Sequence, residues 1–375
     1  MRIAFDARPL AGWRTGIGRY VEGILIGLLP RLEREEFALC SPRGLDLSET
    51  LQRDPRVRTL VQKGWNGNLW LQVALPRLLQ RLKVDLFHGT LFLLPLLSSC
   101  CPQVLNVYDL TLYRYPGSME WKNLCLLRLL LPASLRKAKR IVTLSEFVRQ
   151  EIGAMWPALA EKVVVIPGAP YLDRRYREKL SGADRERVLR RYGLLHPYIL
   201  FVGTLEPRKN IGKMLEAYSL LEKMGVTGRQ MVLVGPSGWG LGPIRRALKN
   251  SPGAASVRWL GYVPDEDLAV LYQEAELFLY LSLYEGFGFP PLEAMAAGTC
   301  VVASNRASLA ECLGDAAVLV DPLNVEEVAE AIRSLLTHDD FRREVAEKGR
   351  IHAGRFSWEK SAEKTAQVYN ALAPR

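Results

Sequence analysis

The stretch at 280–322 reads YLSLYEGFGFPPLEAMAAGTCVVASNRASLAECLGDAAVLVDP, and its alternation of apolar runs with turn-forming residues decides the fold. The apolar runs at 277–283 and 299–303 predict two buried strands. Between them, Pro290 favours the start of a helix and Gly298 its end. The stretch therefore predicts a strand, loop, helix and strand of an α/β fold.

Two carboxylates belong to this unit. Glu285 is predicted on the loop after the first strand, and Glu293 in the first turn of the helix. Ligands of open α/β sheets bind at the carboxyl ends of strands, and a nearby helix N-terminus favours an anion such as a diphosphate. A helix start also favours Glu293 through its dipole alone. On spacing, a capping role and a ligand-binding role both stay open.

The remaining sequence predicts the same architecture. The chain has 375 residues, which suits two domains of ordinary size, and short apolar strands alternate with amphipathic helices. Further candidate strands lie at 2–6, 37–40, 86–88, 104–108, 140–144, 163–166, 199–202, 231–234 and 257–260. The charged segment 173–191 lacks a strand, so it predicts a connection between a domain at 1–172 and a domain at 192–355.

Two segments offer donors for phosphate. Gly16 and Gly18 follow the first strand and precede an apolar-periodic helix, so their N–H groups can approach an anion closely, although a tight turn needs the same residues. Arg208 and Lys209 also follow a strand, where a guanidinium and an ammonium can neutralise a diphosphate. The alternative is that both cations lie at a solvated helix start.

The segment EGFGFPPLEAMAAG, with Glu285 and Glu293 eight positions apart, resembles the Glu-x7-Glu motif of the retaining nucleotide-sugar glycosyltransferases of family 4. Segments at 1–20, 198–218, 233–240, 261–288 and 356–369 extend the resemblance over nearly the whole chain. The resemblance implies the GT-B fold, in which two Rossmann-like domains face a central cleft and a C-terminal helix, here at 356–375, crosses back to the first domain. The subgroup is similar to bacterial mannosyltransferase-like enzymes of polysaccharide assembly.

The resemblance also implies residue roles. It assigns the ribose hydroxyls to Glu293 and hydroxyls of the transferred sugar to Glu285, and a carboxylate can accept two hydrogen bonds from a vicinal diol. Relatives often carry an arginine near Thr204, and Arg208 takes its place here. The implied catalytic residues are Glu285, Arg208, Lys209 and Asp109. The implied donor-binding residues are Gly16, Gly18, Thr204, Arg208, Lys209, Tyr262, Val263, Glu285, Gly286, Phe287, Gly288 and Glu293.

The first domain departs from the family pattern. Tyr108 and Asp109 stand where many relatives have His-Asp, with the histidine beside the donor sugar. Tyrosine can hydrogen-bond a sugar but is a poor acid or base near pH 7, and Asp109 is expected to serve the acceptor side or the structure. His88 ends a strand that faces the expected cleft, but we favour a histidine satisfied by hydrogen bonds in the core.

The implied reaction is sugar transfer with retention through an oxocarbenium-like state, in which cations and amides stabilise the leaving diphosphate. A double displacement would need a second carboxylate on the other face of the sugar, and the sequence leaves this open. GDP-mannose is the favoured donor, and a UDP-hexose such as UDP-glucose is the alternative. The expected acceptor is a saccharide or a polyprenyl-lipid-linked molecule. An isomerase or phosphorylase of the same fold, or a non-catalytic nucleotide-sugar-binding subunit of a membrane assembly complex, is the alternative from another class.

The net charge of +10 is unevenly distributed. The segment 124–140 sets apolar residues beside four cations, and a second apolar run lies at 91–99. Such a surface can rest on anionic lipid, while the alternative is that both runs belong to the core with a solvated basic edge. No nucleic-acid-binding module is visible, so nucleic acid is not an expected partner.

The compartment and the cofactors follow from other patterns. The start MRIAFDAR lacks an apolar signal region, and the six cysteines lack a regular spacing, so we expect a cytoplasmic protein with reduced thiols, associated at most with the inner face of the membrane. The acidic run at 265–267 matches an Asp-x-Asp metal pattern, but it follows Pro264 and opens a helix, which capping explains. We expect neither a metal nor another cofactor.

Overall fold

The computed structural model describes residues 1–12, 15–97, 100–118, 120–171, 181–194, 197–250 and 254–373. The chain divides into two compact units. The first comprises Met1–Tyr113, Trp121–Tyr171 and Ser357–Arg375, and the second comprises Arg114–Glu120 and Leu172–Phe356. A short segment of the first half of the chain therefore belongs to the second unit, and the C-terminal segment belongs to the first.

The first unit is built on a seven-stranded parallel sheet. Its strands are β1 Arg2–Asp6, β2 Glu36–Ser41, β3 Val57–Val61, β4 Leu86–Gly89, β5 Gln103–Asn106, β6 Arg140–Thr143 and β7 Val163–Val165, in the order β3-β2-β1-β4-β5-β6-β7. The α-helices in this part of the chain are α1 Gly16–Leu28, α2 Glu49–Arg53, α3 Gly67–Leu69, α4 Leu75–Arg81, α5 Thr111–Arg114, α6 Trp121–Lys137 and α7 Glu146–Met155.

The second unit is built on a six-stranded parallel sheet. Its strands are β8 Tyr198–Val202, β9 Gln230–Val234, β10 Val257–Gly261, β11 Leu277–Tyr280, β12 Val301–Ser304 and β13 Val318–Val320, in the order β10-β9-β8-β11-β12-β13. The α-helices that follow are α8 Gly182–Tyr192, α9 Ile211–Lys223, α10 Leu241–Asn250, α11 Asp265–Glu274, α12 Phe289–Ala296, α13 Ser308–Leu313, α14 Val325–Thr337, α15 Asp339–Ala353 and α16 Trp358–Asn370.

The predicted α/β architecture is confirmed, and each strand predicted from the sequence is present. β3 and β13 were not predicted. Both lie at the edge of a sheet, and β3 is only partly buried along its length. An edge strand is covered on fewer sides than a central strand, so β3 lacks the continuous apolar run that reveals a buried parallel strand, whereas β13 is apolar but only three residues long.

α16 returns to the first unit, as the resemblance implied. It packs against α1 at two glycines: a Cβ at Gly23 would collide with the ring of Trp358, and a Cβ at Gly27 would lie 2.7 Å from the Cβ of Ala362. Trp358 Nε1 also donates a hydrogen bond to the carbonyl oxygen of Pro170 at 3.3 Å. The two helices approach closely because α1 has no side chains at these positions.

Each sheet contains one place where the strand order reverses direction. In the first sheet β1 lies beside β4, and in the second β8 lies beside β11. Loops leave two such neighbouring strands toward opposite sides and open a crevice at their carboxyl ends, where α/β proteins bind ligands. A ligand site of each unit is therefore expected at these two positions.

Candidate active site

The predicted cations and the first predicted carboxylate meet at the reversal point of the second sheet. The turn Pro207–Lys209 follows β8, and Glu285 lies on the loop after β11. Because β8 and β11 are parallel neighbours, their carboxyl ends lie side by side. The structure brings the side chains of Arg208, Lys209 and Glu285 into contact.

Oxygen Oε1 of Glu285 is the centre of a hydrogen-bond cluster. It accepts hydrogen bonds from Lys209 Nζ at 2.5 Å, Ser282 Oγ at 2.6 Å and Tyr280 OH at 3.1 Å. Lys209 Nζ also donates to Tyr280 OH at 2.7 Å and lies 5.1 Å from the centroid of that ring. Lys209 is buried, so the alternative of a solvated helix start does not apply to it.

Arg208 closes the other side of the cluster. Its Nη1 lies 2.9 Å from Glu285 Oε2, and its Nη2 donates to Glu206 Oε1 at 2.5 Å. Nη1 also donates to the carbonyl oxygen of Tyr284. The side chain is 12% exposed. Two cations, Arg208 and Lys209, therefore face two carboxylates, Glu206 and Glu285, in a nearly dry environment where charges interact strongly.

The electrostatics keep Glu285 ionised. Burial raises the pKa of Glu285, but the charges of Arg208 and Lys209 and the hydrogen bonds from Lys209 and Ser282 outweigh burial and lower the pKa from 4.5 to about 2. Burial lowers the pKa of Lys209, Glu285 opposes this effect, and Arg208 adds to it. The anion that these cations bind in the structure is thus the carboxylate of Glu285.

Glu293 lies elsewhere than predicted. It is the fifth residue of α12, which begins at Phe289, so its expected place in the first helical turn is wrong. The helix dipole acts mainly within the first turn and does not account for a carboxylate beyond it. Glu293 is 2% exposed, and its Oε2 accepts a hydrogen bond from Tyr272 OH of α11 at 3.0 Å.

The start of α12 is poorer in donors than a usual helix start. Pro290 and Pro291 have no N–H, and the N–H of Leu292 already donates to the carbonyl oxygen of Gly288 at 3.1 Å. The N–H groups of this helix start are therefore those of Gly288 and Phe289. An anion bound here depends on the preceding loop and on the cations more than on the helix.

Ser308, the first residue of α13, holds the loop that carries Glu285. Its Oγ donates to the carbonyl oxygens of Glu285 at 2.8 Å and Phe287 at 3.0 Å. Gly288 packs tightly against the same helix, since a Cβ there would lie 3.2 Å from Leu309 Cδ2. Ser308 was not predicted, because a serine at a helix start is ordinarily read as a cap.

A glycine-rich loop after β9 supports the loop that carries the cations. Gly235 has φ +136°, and a Cβ there would collide with the carbonyl of Gly203. A Cβ at Gly238 would lie 2.7 Å from Thr204 Cγ2. The backbone N–H of Gly238 donates to the carbonyl oxygen of Leu205 at 2.9 Å. Thr204, a predicted donor-binding residue, is thus part of a rigid pair of loops.

Two tyrosines of the second unit, Tyr262 and Tyr115, differ in their surroundings. Tyr262 follows β10 with a ring that is 44% exposed, whereas the neighbouring Val263 is buried. Tyr115 belongs to the segment Arg114–Glu120 of the second unit, and its ring centroid lies 5.6 Å from that of Tyr284, next to Glu285 in the sequence. Tyr115 was not predicted, because its place in the chain suggests the first unit.

The predicted glycine pair of the first unit lies inside a helix. Gly16 is the first residue of α1 and Gly18 the third, so the expected loop between β1 and α1 ends at Thr15. Thr15 is the N-cap residue, but its side chain makes no capping hydrogen bond. The two glycines leave two positions of the first turn of α1 without side chains, which favours the approach of an anion to the N–H groups there.

His88 is buried with both ring nitrogens hydrogen-bonded, as we favoured. Its Nε2 donates to Asn106 Oδ1 at 2.8 Å, and Nδ1 accepts from Tyr369 OH at 2.5 Å. Asn106 Nδ2 then donates to Tyr108 OH at 3.0 Å. Burial lowers the pKa of His88 from 6.5 to about 4, against the opposing hydrogen bond to Asn106 and the charge of Asp6, so the ring is neutral at pH 7.

Asp109 and the end of β1 supply further polar groups. Asp109 Oδ1 accepts a hydrogen bond at 2.8 Å from the N–H of Thr111, the first residue of the short helix α5. Buried Asp6 forms an ion pair with Arg8, whose Nη2 lies 2.6 Å from Asp6 Oδ2. Arg8 also covers the ring of Trp70, 5.7 Å from its centroid. The Asp6–Arg8 pair at the reversal point of the first sheet was not predicted.

The acidic run that resembles a metal motif serves the fold. Its residues lie in the first turn of α11, and Asp267 is buried. Asp267 Oδ2 accepts hydrogen bonds from Arg191 Nη1 at 3.0 Å and Tyr192 OH at 2.9 Å, both on α8. In the part of the chain that the structure describes, no group of three or more His, Cys, Asp or Glu side chains is arranged to hold a metal ion.

Solved structures with the same arrangement identify the fold. Sucrose-phosphate synthase from Thermosynechococcus elongatus superimposes with a TM-score of 0.77, covering 99% of each chain at 21% identity. Anabaena HepE in complex with UDP-glucose gives a TM-score of 0.75, covering 99% of this chain and 100% of the other at 19% identity. The fold is therefore GT-B, the two-domain architecture of nucleotide-sugar glycosyltransferases.

Sequence comparisons then give the family. Residues 193–352 match the model "Glycosyl transferases group 1", and residues 15–174 match the model "Glycosyltransferase Family 4". The O-antigen chain mannosyltransferase B of Escherichia coli is 31% identical over 402 residues, which cover 99% of this chain and 100% of the relative. The chain belongs to family 4 of the glycosyltransferases, as its motifs predicted, and is a glycosyltransferase.

Proposed function

We propose that the chain is a retaining hexosyltransferase that moves mannose from GDP-mannose to a saccharide or polyprenyl-linked acceptor during the assembly of a surface polysaccharide. The observation that carries this proposal is the contact of Arg208 and Lys209 with Glu285 at the reversal point of the second sheet. Similarity to the O-antigen chain mannosyltransferase B of Escherichia coli supports mannose and the polysaccharide.

Donor binding exchanges one anion for another. The diphosphate of the donor pairs with Arg208 and Lys209, which in the structure pair with Glu285. Glu285 then accepts hydrogen bonds from hydroxyls of the transferred sugar, and Glu293 accepts them from the ribose. The backbone N–H groups of Gly286, Phe287 and Gly288 lie on the loop between the two carboxylates and serve the sugar and the phosphate.

The transfer step needs no nucleophile from the protein. The acceptor oxygen forms a bond to the anomeric carbon on the face that the diphosphate leaves, so the configuration is retained. The bond from that carbon to the phosphate oxygen breaks, and the acceptor proton passes to the departing diphosphate. Arg208 and Lys209 stabilise the charge that develops there, which typically contributes about a hundredfold or more in rate for each well-placed group.

A screen of donors tests the proposal. Purified protein is incubated with labelled GDP-mannose, GDP-glucose, UDP-glucose and UDP-galactose, and the slow release of labelled sugar to water is measured. We expect GDP-mannose to be hydrolysed fastest. Faster hydrolysis of a UDP-hexose would instead identify UDP-glucose or a related sugar nucleotide as the donor. The fold shared with HepE, which was solved in complex with UDP-glucose, favours this second candidate.

The same screen distinguishes a glycosyltransferase from a binding subunit. A non-catalytic subunit of a membrane assembly complex would bind a nucleotide sugar without releasing its sugar, with or without acceptor. A phosphorylase of this fold would release sugar phosphate in the presence of inorganic phosphate. Release of nucleoside diphosphate that rises strongly when an acceptor oligosaccharide is added is the result that we expect.

We further propose that the reaction requires no metal ion or other cofactor. Arg208 and Lys209 supply the positive charge that a divalent cation supplies in other transferases, and Asp267 is engaged by α8. Transfer measured in excess chelator should therefore equal transfer in its absence. An activity that chelator abolishes and added Mg²⁺ or Mn²⁺ restores would refute this part of the proposal.

A further inference from the structure

Helix α6 exposes large apolar side chains. Among the described residues, the three most exposed large apolar side chains are those of Leu97 at 84%, Leu129 at 74% and Trp121 at 68%. Single exposed apolar residues are common on soluble proteins, but a cluster of them marks an interaction surface. Two of the three lie on α6, and the third lies close to its C-terminal end.

Contacts tie the segment around Leu97 to α6. Lys137 Nζ, at the end of the helix, donates to the carbonyl oxygens of Pro95 and Leu96, each at 2.7 Å. The N–H of Leu94 donates to Ser134 Oγ at 3.1 Å. With a rise of about 1.5 Å per residue, Trp121 and Leu129 lie roughly 12 Å apart along α6, and Leu97 follows the segment that Lys137 contacts at the end of the helix.

The helix has two distinct faces. Trp121, Cys125 and Leu129 follow one another at a spacing of four residues, and all three are exposed. Leu131 and Leu135, on another face of the helix, are completely buried. The helix is therefore anchored in the first unit by one face and presents a second apolar face outward.

All charged residues of α6 are cations, and the acid nearest to it in the sequence is Glu120, just before its first residue. The exposed cations Lys122, Arg128 and Arg136 lie on or beside the apolar face. Arg128 is held in place, since its Nε donates to the carbonyl oxygen of Leu112 at 3.0 Å. An apolar face bordered by cations is complementary to a surface that is apolar inside and negatively charged outside.

We propose that α6, together with Leu97, docks the protein on an anionic phospholipid bilayer, with the helix axis parallel to the membrane plane. Trp121, Leu129 and Leu97 enter the boundary between headgroups and acyl chains, and the cations meet lipid phosphates. None of the helices described is both long enough and apolar enough to span a bilayer. The inference goes beyond the proposed transfer reaction and does not depend on the identity of the sugar.

Vesicle flotation tests this surface without any nucleotide sugar, so its outcome is independent of the proposed reaction. The full chain is mixed with vesicles of phosphatidylcholine alone or with 30–40% phosphatidylglycerol. We expect flotation only with the anionic vesicles, and loss of that flotation in Leu129→Glu. Each of Lys122→Gln and Arg136→Gln should weaken partitioning about fivefold, the usual effect of one cation at an anionic surface.

The matched control is Ile351→Glu, which places the same charge on another exposed apolar residue, at 56% exposure on α15. It should float like the parent. Circular dichroism and thermal unfolding show whether each variant is folded. Equal flotation of Leu129→Glu and the parent, or equal binding to neutral and anionic vesicles, would overturn the proposal. So would a parent dimer that Leu129→Glu dissociates while neither binds vesicles, because the surface would then belong to a second copy.

Discussion

At the scale of single residues, the central feature is a buried ammonium and guanidinium that share one carboxylate. Breaking a buried ion pair leaves an uncompensated charge, whereas a ligand of the same sign can replace the missing partner. In the proposed reaction, Arg208 and Lys209 would therefore have two alternative anions, Glu285 of the protein and the diphosphate of a donor. The competition between these anions can be measured.

Glu285→Gln should separate binding from transfer. Without the carboxylate, Arg208 and Lys209 lose their internal anion, so we expect nucleoside diphosphate to bind several-fold more tightly, by calorimetry. Transfer should fall about a hundredfold or more, because the sugar loses the carboxylate that accepts its hydroxyls. Glu330→Gln, on an exposed part of α14, is the matched control and should change neither quantity. Weaker diphosphate binding by Glu285→Gln would contradict the competition.

The same carboxylate predicts a pH dependence of stability. The folded-state pKa of Glu285 is lowered from 4.5 to about 2, so its stabilisation is present above pH 4.5 and is lost as the pH falls toward 2. Between pH 6 and pH 3 this group should account for a loss of about 2 kcal/mol in the free energy of unfolding. Urea unfolding of the parent and of Glu285→Gln at both values measures the difference. Curves that fall in parallel would refute the assignment.

The sequence predicts which charged residues meet but not what holds them. Arg208, Lys209 and Glu285 each follow a strand, and parallel strands place such residues at one edge of the sheet. Their partners carry no such signal. Tyr280 and Ser282 lie within the apolar run 277–283, although β11 ends at Tyr280 and the rest forms the turn toward Glu285. Which hydroxyl reaches the carboxylate depends on where the strand ends, and propensities locate ends poorly.

At the scale of elements, α1 and α16 show how missing side chains determine packing. Gly27→Leu should push α16 away from α1, because a Cβ there would already lie 2.7 Å from Ala362 Cβ. We expect a loss of roughly 1–3 kcal/mol in stability by urea unfolding.

Gly212→Leu is the matched control for that substitution. Gly212 lies on α9, where a Cβ would have nothing within 4 Å. Replacing this helical glycine should be neutral or slightly stabilising, since leucine favours a helix more than glycine does. If Gly27→Leu and Gly212→Leu have equal stability, the close approach of α1 and α16 does not contribute to the fold.

Elements differ in how well the sequence predicts them, and burial is the reason. The central strand β11 is buried throughout and reads as one apolar run, whereas the edge strand β3 contains exposed Arg58 and Thr59 among partly exposed residues and reads as a loop. The start of α12 shows a second limit. Pro290 favours one of the first helical positions, but it does not say which, and a shift of one residue moved Glu293 out of the first turn.

At the scale of the whole molecule, two segments belong to a different unit from the one that their position in the chain suggests. The segment Arg114–Glu120 joins the second unit, and Ser357–Arg375 returns to the first. Composition alone reveals neither event, because amphipathic helices and short loops look alike wherever they pack. Family resemblance predicted the return of the C-terminal helix, since that helix is part of the GT-B pattern. Neither composition nor family resemblance predicted that Tyr115 belongs to the second unit.

The return of α16 makes the first unit depend on the last residues of the chain. A chain that ends at Phe356 lacks the partner of Gly23 and Gly27 on α1, and His88 loses the hydroxyl of Tyr369. Hydrogen exchange of the truncated chain should therefore be faster in peptides that cover α1 and β4, while peptides of β8 and β11 keep their protection. This pattern reflects local stability within each unit. Unchanged protection of α1 and β4, or an equal loss in both sheets, would show that α16 does not stabilise the first unit in particular.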